Sequence, residues 1–274
     1  MPQGIISFKI SRESFSLPHL RTPGSRFQLA ATRVIIIAMI KRCLIIFAKE
    51  PRKGRVKTRL LSVLTQKQSL DLCKAFVRDT LDIVRKVKTD QRIVAFDCDE
   101  GAPAFLKKMA PDFLMMKQKG RTLGDRLHNA FLSQAGAGKK IVIIGSDAPT
   151  LPAKRIEDAF VKLEKADVVL GPAFDGGYYL VGLEKPRKRL FQGIRWSSSG
   201  VLRQTVVKAK KIGLSVGLLK EWYDVDDRKS LTFLMKDLKR GGSFFAKHTS
   251  RVAGTFAGAL SEASREVGPG THGT

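Results

Sequence analysis

Cysteine, histidine and tryptophan are scarce in this chain, and acidic residues number half the basic ones. The three cysteines (Cys43, Cys73, Cys98) form no C-x-x-C pair and are odd in number, which argues against a disulfide framework or a zinc ribbon. Such usage fits a reducing compartment, and the cytoplasm is the expected location. Of four histidines, His19, His248 and His272 lie near the termini and only His128 falls in the well-patterned region. That argues against a multi-histidine metal centre and a Ser-His-Asp hydrolase. The apolar run Val34–Ile40 spans seven residues between Arg33 and Lys41-Arg42, too few to cross a bilayer, and no small-residue cleavage site follows it.

What is present supports one large α/β domain. The 274 residues are 43% apolar and 27% charged, enough for a full core and unlike a disordered or fibrous chain. Fifty Lys and Arg stand against 25 Asp and Glu, a formal charge of +25. Residues 1–38 carry scattered Ser and Pro and no sustained amphipathic period. They read as a disordered extension or a mis-assigned start, because Met39-Ile-Lys-Arg-Cys-Leu-Ile-Ile-Phe47 runs straight into a strand. Residues 239–274 turn to Gly, Ala and Ser and read as a weakly ordered tail, with a faint helical period over 250–262. The two ends hold a net +4 and +3, so the domain expected over 39–238 keeps +18.

Within that domain two kinds of apolar pattern alternate. Cys43–Ala48, Ile93–Phe96, Phe113–Met116, Ile141–Ile144, Val168–Leu170, Tyr178–Val181 and Leu214–Leu218 are short and continuous, as strands covered on both faces are. Between them run helical stripes. One extends from Leu70 to Val87 behind a Thr65-Gln-Lys-Gln68 capping box, and Pro103 opens a short second helix. Others cover Leu123–Ala135, the segment after Pro152, Val201–Lys211 and Arg228–Leu238. The alternation predicts an α/β fold with a mostly parallel sheet and helices on both faces. Ligands of such sheets bind beyond the carboxyl ends of the strands.

After the first strand comes Lys49-Glu-Pro-Arg-Lys-Gly-Arg-Val-Lys-Thr-Arg-Leu60, with six basic residues on a Gly-containing loop. Lys as a mobile point charge and Arg as a two-pronged donor suit a polyphosphate, although Walker and G-x-G-x-x-G spacings are absent and a solvated basic turn is the alternative. Gly145-Ser-Asp-Ala-Pro-Thr-Leu-Pro152 sets Asp147 at the mouth of the sheet, as a reactive carboxylate or as a turn cap. Asp224-Val-Asp-Asp227 follows the last strand, with Asp224 and Asp226 on one face of extended chain and Asp227 placed to cap the final helix. If these ends share a cleft, Asp147 and Asp226 are the pair to hold Mg²⁺ or Mn²⁺. Gly171-Pro-Ala-Phe-Asp-Gly-Gly-Tyr-Tyr-Leu-Val-Gly-Leu183 contains a hairpin turn. Its glycines and Tyr pair also fit backbone pressed against a ligand, which makes Gly176, Gly177 and Tyr178 candidate substrate contacts. Asp175 in the same turn is the candidate general base. Asp125, in the first turn of the 123–135 helix, is a further substrate candidate. Trp196-Ser-Ser-Ser-Gly200 reads as a loop whose Trp is core or acceptor platform.

Taken in order, Phe-Ala-Lys-x-Pro-x-x-Gly-x-Val-Lys-Thr-Arg-Leu (47–60), Leu-Gly-Asp-Arg-Leu (123–127), Gly-Ser-Asp-Ala-Pro-Thr-Leu (145–151), Gly-Pro-Ala-x-Asp-Gly-Gly-Tyr-Tyr-Leu-x-Gly-Leu (171–183) and Asp-Val-Asp (224–226) resemble the DUF2064 family. These are GT-A-fold transferases, also labelled selenodomain-associated transferase 1 or arsenosugar biosynthesis glycosyltransferase. The resemblance covers about residues 40–236. It implies a single Rossmann-like GT-A domain and glycosyl transfer from a nucleotide-sugar donor to a small-molecule acceptor. It also implies Asp147 as metal carboxylate, Asp226 as second ligand, and Lys57 and Arg59 as phosphate contacts, with Lys49 on the same loop. The chain departs from the family pattern at Asp227 and Ser230. The wider fold group includes molybdenum-cofactor and phospholactate guanylyltransferases, and the latter share a Lys-x-Arg-Leu opening. Nucleotidyl transfer from an NTP is therefore the alternative.

A charge of +18 on one domain also raises nucleic-acid binding. Against it, the Lys and Arg are spread over several helices, aromatics do not interleave with them, and no RNP, KH or helix-turn-helix signature is present.

Overall fold

The computed structural model of the protein describes residues 41–98, 101–241 and 246–256. The chain divides into two units between Ile37 and Ala38; the first, with the extension read over 1–38, lies outside the described residues. Seven strands form one sheet: β1 (Arg42–Lys49), β2 (Gln91–Asp97), β3 (Leu114–Lys117), β4 (Lys140–Gly145), β5 (Val168–Pro172), β6 (Tyr178–Leu183) and β7 (Val216–Leu218). Their order is β3-β2-β1-β4-β6-β5-β7, and β6 alone runs antiparallel to its neighbours. The described helices are α1 (Gln66–Lys86), α2 (Ala104–Met109), α3 (Leu123–Gln134), α4 (Ala153–Lys162), α5 (Lys188–Phe191), α6 (Val201–Lys211), α7 (Arg228–Gly241) and α8 (Lys247–Gly254).

Each expected strand forms, because each is an apolar run that needs cover on two sides. Strand alternation sends Leu44 and Ile46 of β1 to one face, where they meet Val77 and Leu81 of α1 and Ile156 and Phe160 of α4. Cys43 and Ile45 go to the other, against Leu127 and Phe131 of α3 and Ala209 of α6. The capping boxes hold α1 and α3 at their starts: Thr65 accepts from the Gln68 N–H and Thr122 from the Asp125 N–H. β7 begins later than its apolar run, since the Leu214 N–H donates to the Ala209 carbonyl at 2.9 Å and so closes α6 instead.

A third apolar cluster lies beside the sheet. Leu60, from a 3₁₀ turn at Thr58–Ser62, packs with Phe76 of α1, Val225, and Leu231 and Leu234 of α7. α8 joins it through Ala253, with Phe256 just beyond. The segment read as a weakly ordered tail therefore contains a packed helix, and its residues 257–274 lie outside the described ones. The signal was weak because α8 has only eight residues; Asp79 of α1 fixes its start, accepting the His248 and Thr249 N–H groups at 3.1 and 2.7 Å. Among the described residues no helix is long and apolar enough to cross a membrane.

Candidate active site

The parallel strands β1, β2, β3, β4, β5 and β7 all end on one rim, and β6 begins there. Lys49 at the end of β1 is in register with Asp97 at the end of β2. A cleft of about 670 Å³ opens along this rim.

The basic loop enters it through strained backbone. Lys57 has φ 50°, in the left-handed region that a lysine rarely adopts, and Ser69 Oγ ties the loop to α1 by hydrogen bonds to the Val56 and Lys57 carbonyls. This turn drives the Lys57 side chain inward, where it is 5% exposed. Its ammonium sits 2.6 Å from Asp147 Oδ1 and 2.8 Å from both Asp226 Oδ1 and the Val225 carbonyl. Three donors thus meet three acceptors. Burial works against the charge, yet the Asp147 and Asp226 carboxylates outweigh it and hold the pKa above the ordinary lysine value. The two acidic segments are also joined by backbone, the Val225 N–H donating to the Asp147 carbonyl at 2.9 Å.

Asp224 lies beside this pair. Burial, and then the Asp147 and Asp226 charges, push its carboxyl up to about 8, so it is largely protonated at neutral pH and adds little to the local negative charge.

Asp147 and Asp226 remain 43% and 49% exposed on their side chains, open to the cleft, and already converge on one cation. Their all-oxygen donor set is that of a hard divalent ion. A second cluster with metal-like spacing, Asp79, Asp82 and His248, is employed otherwise. Asp79 caps α8, and Asp82 pairs with Lys247 and His248, so the cluster docks that helix.

Of the residues singled out in the sequence, Lys49, Arg59, Asp175, Gly177 and Tyr178 line the cleft, and Arg55 joins them. Asp175 Oδ1 accepts the Gly177 N–H at 2.8 Å within the β5–β6 hairpin turn, which fixes the carboxylate at the rim. Tyr178 meets Trp196 edge to face at 6.4 Å, and both line the cleft, so this Trp is at once packing and wall. The three donors of Lys57 are accepted by Asp147, Asp226 and the Val225 carbonyl.

Three expectations are corrected. Asp125 does not line the cleft; its carboxylate accepts from Thr122 N and Oγ1 at 3.1 and 2.8 Å, completing the α3 cap. Gly171 and Gly182 meet protein rather than ligand: a Cβ at Gly171 would lie 2.4 Å from the Tyr179 ring, and one at Gly182 would lie 3.0 Å from Leu163. Gly176 is likewise not a cleft residue. It has φ +87°, and a Cβ there would stand 1.9 Å from the Ser199 carbonyl oxygen. Its role is to seat the 197–199 loop, whose serines do line the cleft, and its own carbonyl accepts the Leu202 N–H at 2.9 Å. Gly176→Ala is expected to lower stability by about 2–3 kcal/mol through strain and displacement of that loop, read as a drop in thermal midpoint.

The sequence reading misses Asp97, whereas Gln118 and Arg126 belong to the polar stretch from Gln118 to Leu127 around the 123–127 motif that it does pick out. Asp97 lines the cleft and pairs with Arg126 of α3 at 2.7 Å; Gln118 lines it after β3. The signal was available, since Asp97 lies just past an apolar run.

The seven-stranded, mostly parallel sheet with helices on both faces matches the fold of a nucleotide-diphospho-sugar transferase. The chain is similar to a provisionally assigned nucleotide-diphospho-sugar transferase from Desulfovibrio desulfuricans G20, with 30% identity, 82% of this chain and 98% of the other covered, and a TM-score of 0.75. It also shares its fold with 4-diphosphocytidyl-2C-methyl-D-erythritol synthase from Anaerococcus prevotii DSM 20548, at 12% identity, 75% and 99% coverage, and a TM-score of 0.52. Residues 80–198 match the family described as "Uncharacterized protein conserved in bacteria (DUF2064)". The chain belongs to this DUF2064 family. No curated protein matches the sequence.

Proposed function

We propose that this protein is a metal-dependent glycosyltransferase that moves a sugar from a nucleotide-sugar to a small-molecule acceptor. The observation that carries the reading is the meeting of Asp147, Asp226 and the cationic 49–59 loop in one cleft at the carboxyl rim. Arg55, Arg59 and Lys49 contact the diphosphate, Arg by paired N–H donors and Lys as a point charge. Asp147 and Asp226 hold Mg²⁺ or Mn²⁺, which when bound would neutralise charge growing on the leaving diphosphate. Asp175 takes the proton of the attacking acceptor hydroxyl. Tyr178, Trp196 and the Ser197–Ser199 loop shape the wall beside the sugar.

The second reading is nucleotidyl transfer from an NTP with release of pyrophosphate, favoured by the Lys57-Thr-Arg-Leu60 opening. A thermal-shift screen of nucleotide-sugars against NTPs, with and without Mn²⁺, separates the two. A ligand at 100 times its Kd stabilises by about 2.7 kcal/mol. Metal-dependent stabilisation by a nucleotide-sugar over its matching NTP is expected; the reverse order would favour the second reading, and indifference to both would remove this function.

A further inference from the structure

A second cavity, of about 740 Å³, adjoins the nucleotide cleft. Arg59, Asp175, Asp224 and Asp226 line both, so the two cavities share a wall. The rest of the second cavity has another character. Phe174 and Phe233 line it at 59% and 44% exposure, over Tyr223, which is buried. The three rings touch: Phe174 to Phe233 edge on at 5.8 Å, Tyr223 to Phe233 at 4.6 Å, and Phe174 to Tyr223 at 6.2 Å. Covering a phenylalanine ring is favourable, yet these two stay open at the mouth of a cavity.

The helix beside them repeats the pattern in sequence. Leu231, Leu234 and Leu238 of α7 enter the third core cluster, while Lys229, Phe233 and Lys236, spaced i, i+4, i+7, share the opposite face and line the cavity. Asp227 and Arg228 line the cavity too; apart from the acids of the shared wall, the aromatic floor beside Arg228, Lys229 and Lys236 is complementary to a molecule with a flat apolar body and an anionic group. On the other side, Asp175 directly follows Phe174, whose N–H is anchored to the Trp222 carbonyl at 3.1 Å. The carboxylate read as the base therefore stands on the wall between the two cavities.

We infer that this cavity is the acceptor site, and that the acceptor is a small molecule joining an aromatic or apolar ring to a carboxylate or phosphate. Its ring lies on Phe174, Tyr223 and Phe233, its anion meets Lys229 and Lys236, and its hydroxyl points through the shared wall. The inference rests on the glycosyltransferase reading for what happens next. The acceptor oxygen bonds to the anomeric carbon, the bond from that carbon to the diphosphate oxygen breaks with its electron pair leaving on the nucleoside diphosphate, and the hydroxyl proton passes to Asp175.

Phenyl phosphate is the probe, titrated by ligand-observed NMR into the full chain with saturating UDP or GDP and Mg²⁺; benzyl alcohol and inorganic phosphate supply the ring and the anion separately. Phenyl phosphate is expected to bind more tightly than either fragment and to weaken about fivefold to tenfold in Phe233→Ala and in Lys236→Ala, alone and without loss of nucleotide affinity. Lys236 is exposed, so Lys236→Ala is expected to keep the wild-type thermal midpoint, whereas Phe233→Ala loses its ring contacts with Phe174 and Tyr223 and is expected to lower it slightly while staying folded. Equal affinity in all three proteins, absence of binding, or displacement of the probe by nucleotide would overturn the acceptor site. Nucleotide affinity is measured in the same samples. Failure of the nucleotide to bind while phenyl phosphate still responds to Phe233 and Lys236 overturns the transferase reading instead and leaves the pocket standing.

Discussion

Asp147→Ala folds with little loss of stability and binds nucleotide in the presence of Mn²⁺ more than about a hundredfold more weakly, since even an outer partner of a metal ligand is worth 10–100-fold. The two halves of this result have separate causes. Asp147 helps to hold the 224–226 segment through its backbone carbonyl, which accepts from the Val225 N–H and survives the substitution. Its side chain is half in solvent, and Lys57 keeps Asp226 and the Val225 carbonyl as acceptors. The structural loss is then that of one charge-assisted hydrogen bond open to water, about 1 kcal/mol. The functional loss is larger, because a divalent ion left with a single carboxylate cannot compete with the neighbouring ammonium for it. Calorimetric titration of both proteins with UDP or GDP plus Mn²⁺ decides the matter, and equal affinities would remove Asp147 from the ion site.

Much of this geometry was readable from residue order. The seven apolar runs become the seven strands, and Asp147, Asp175, Asp226 and the basic loop all follow the carboxyl ends of such runs. A period-2 or period-3.6 pattern reports which faces are covered, and the chain direction then sets which end of each strand reaches the rim. The sequence does not report which of two identical chemistries a side chain performs. Asp125 and Asp147 both lie close to a helix start, yet Asp125 turns back to Thr122 N while Asp147 turns into the cleft. Gly171, Gly176 and Gly177 look alike in one motif. The first makes room for a ring, the second for a carbonyl, and only the third lines the cleft. Such distinctions depend on which neighbour the fold brings up, from Thr122 three positions from Asp125 to Ser199 well beyond Gly176. Lys57 is the clearest case, because its partners at 147 and 226 lie far off in sequence and a left-handed turn at a non-glycine residue leaves no mark there.

Lys57→Met keeps the length of the side chain and removes the ammonium, leaving Asp147 and Asp226 without their shared cation and the Val225 carbonyl without its donor. Breaking a fully buried ion pair costs about 3–5 kcal/mol; with both carboxylates half exposed, about 2–3 kcal/mol is expected. For a domain of this size that lowers the thermal midpoint by roughly 4–12 °C. The response to metal should then invert. In the wild type a divalent ion must displace an ammonium that three acceptors hold, so Mn²⁺ alone shifts the midpoint little. In the variant the same carboxylates face each other with nothing between them, so Mn²⁺ raises the midpoint and EDTA returns it. Nucleotide affinity in saturating Mn²⁺ divides the two roles of this residue: a phosphate contact predicts a loss in Lys57→Met that changes with salt, whereas a cation pinning the acid pair predicts that it is largely retained. A variant as stable as the wild type and indifferent to Mn²⁺ would mean that the two carboxylates do not form a cation site, and the ion-dependent chemistry would then have no place in this cleft.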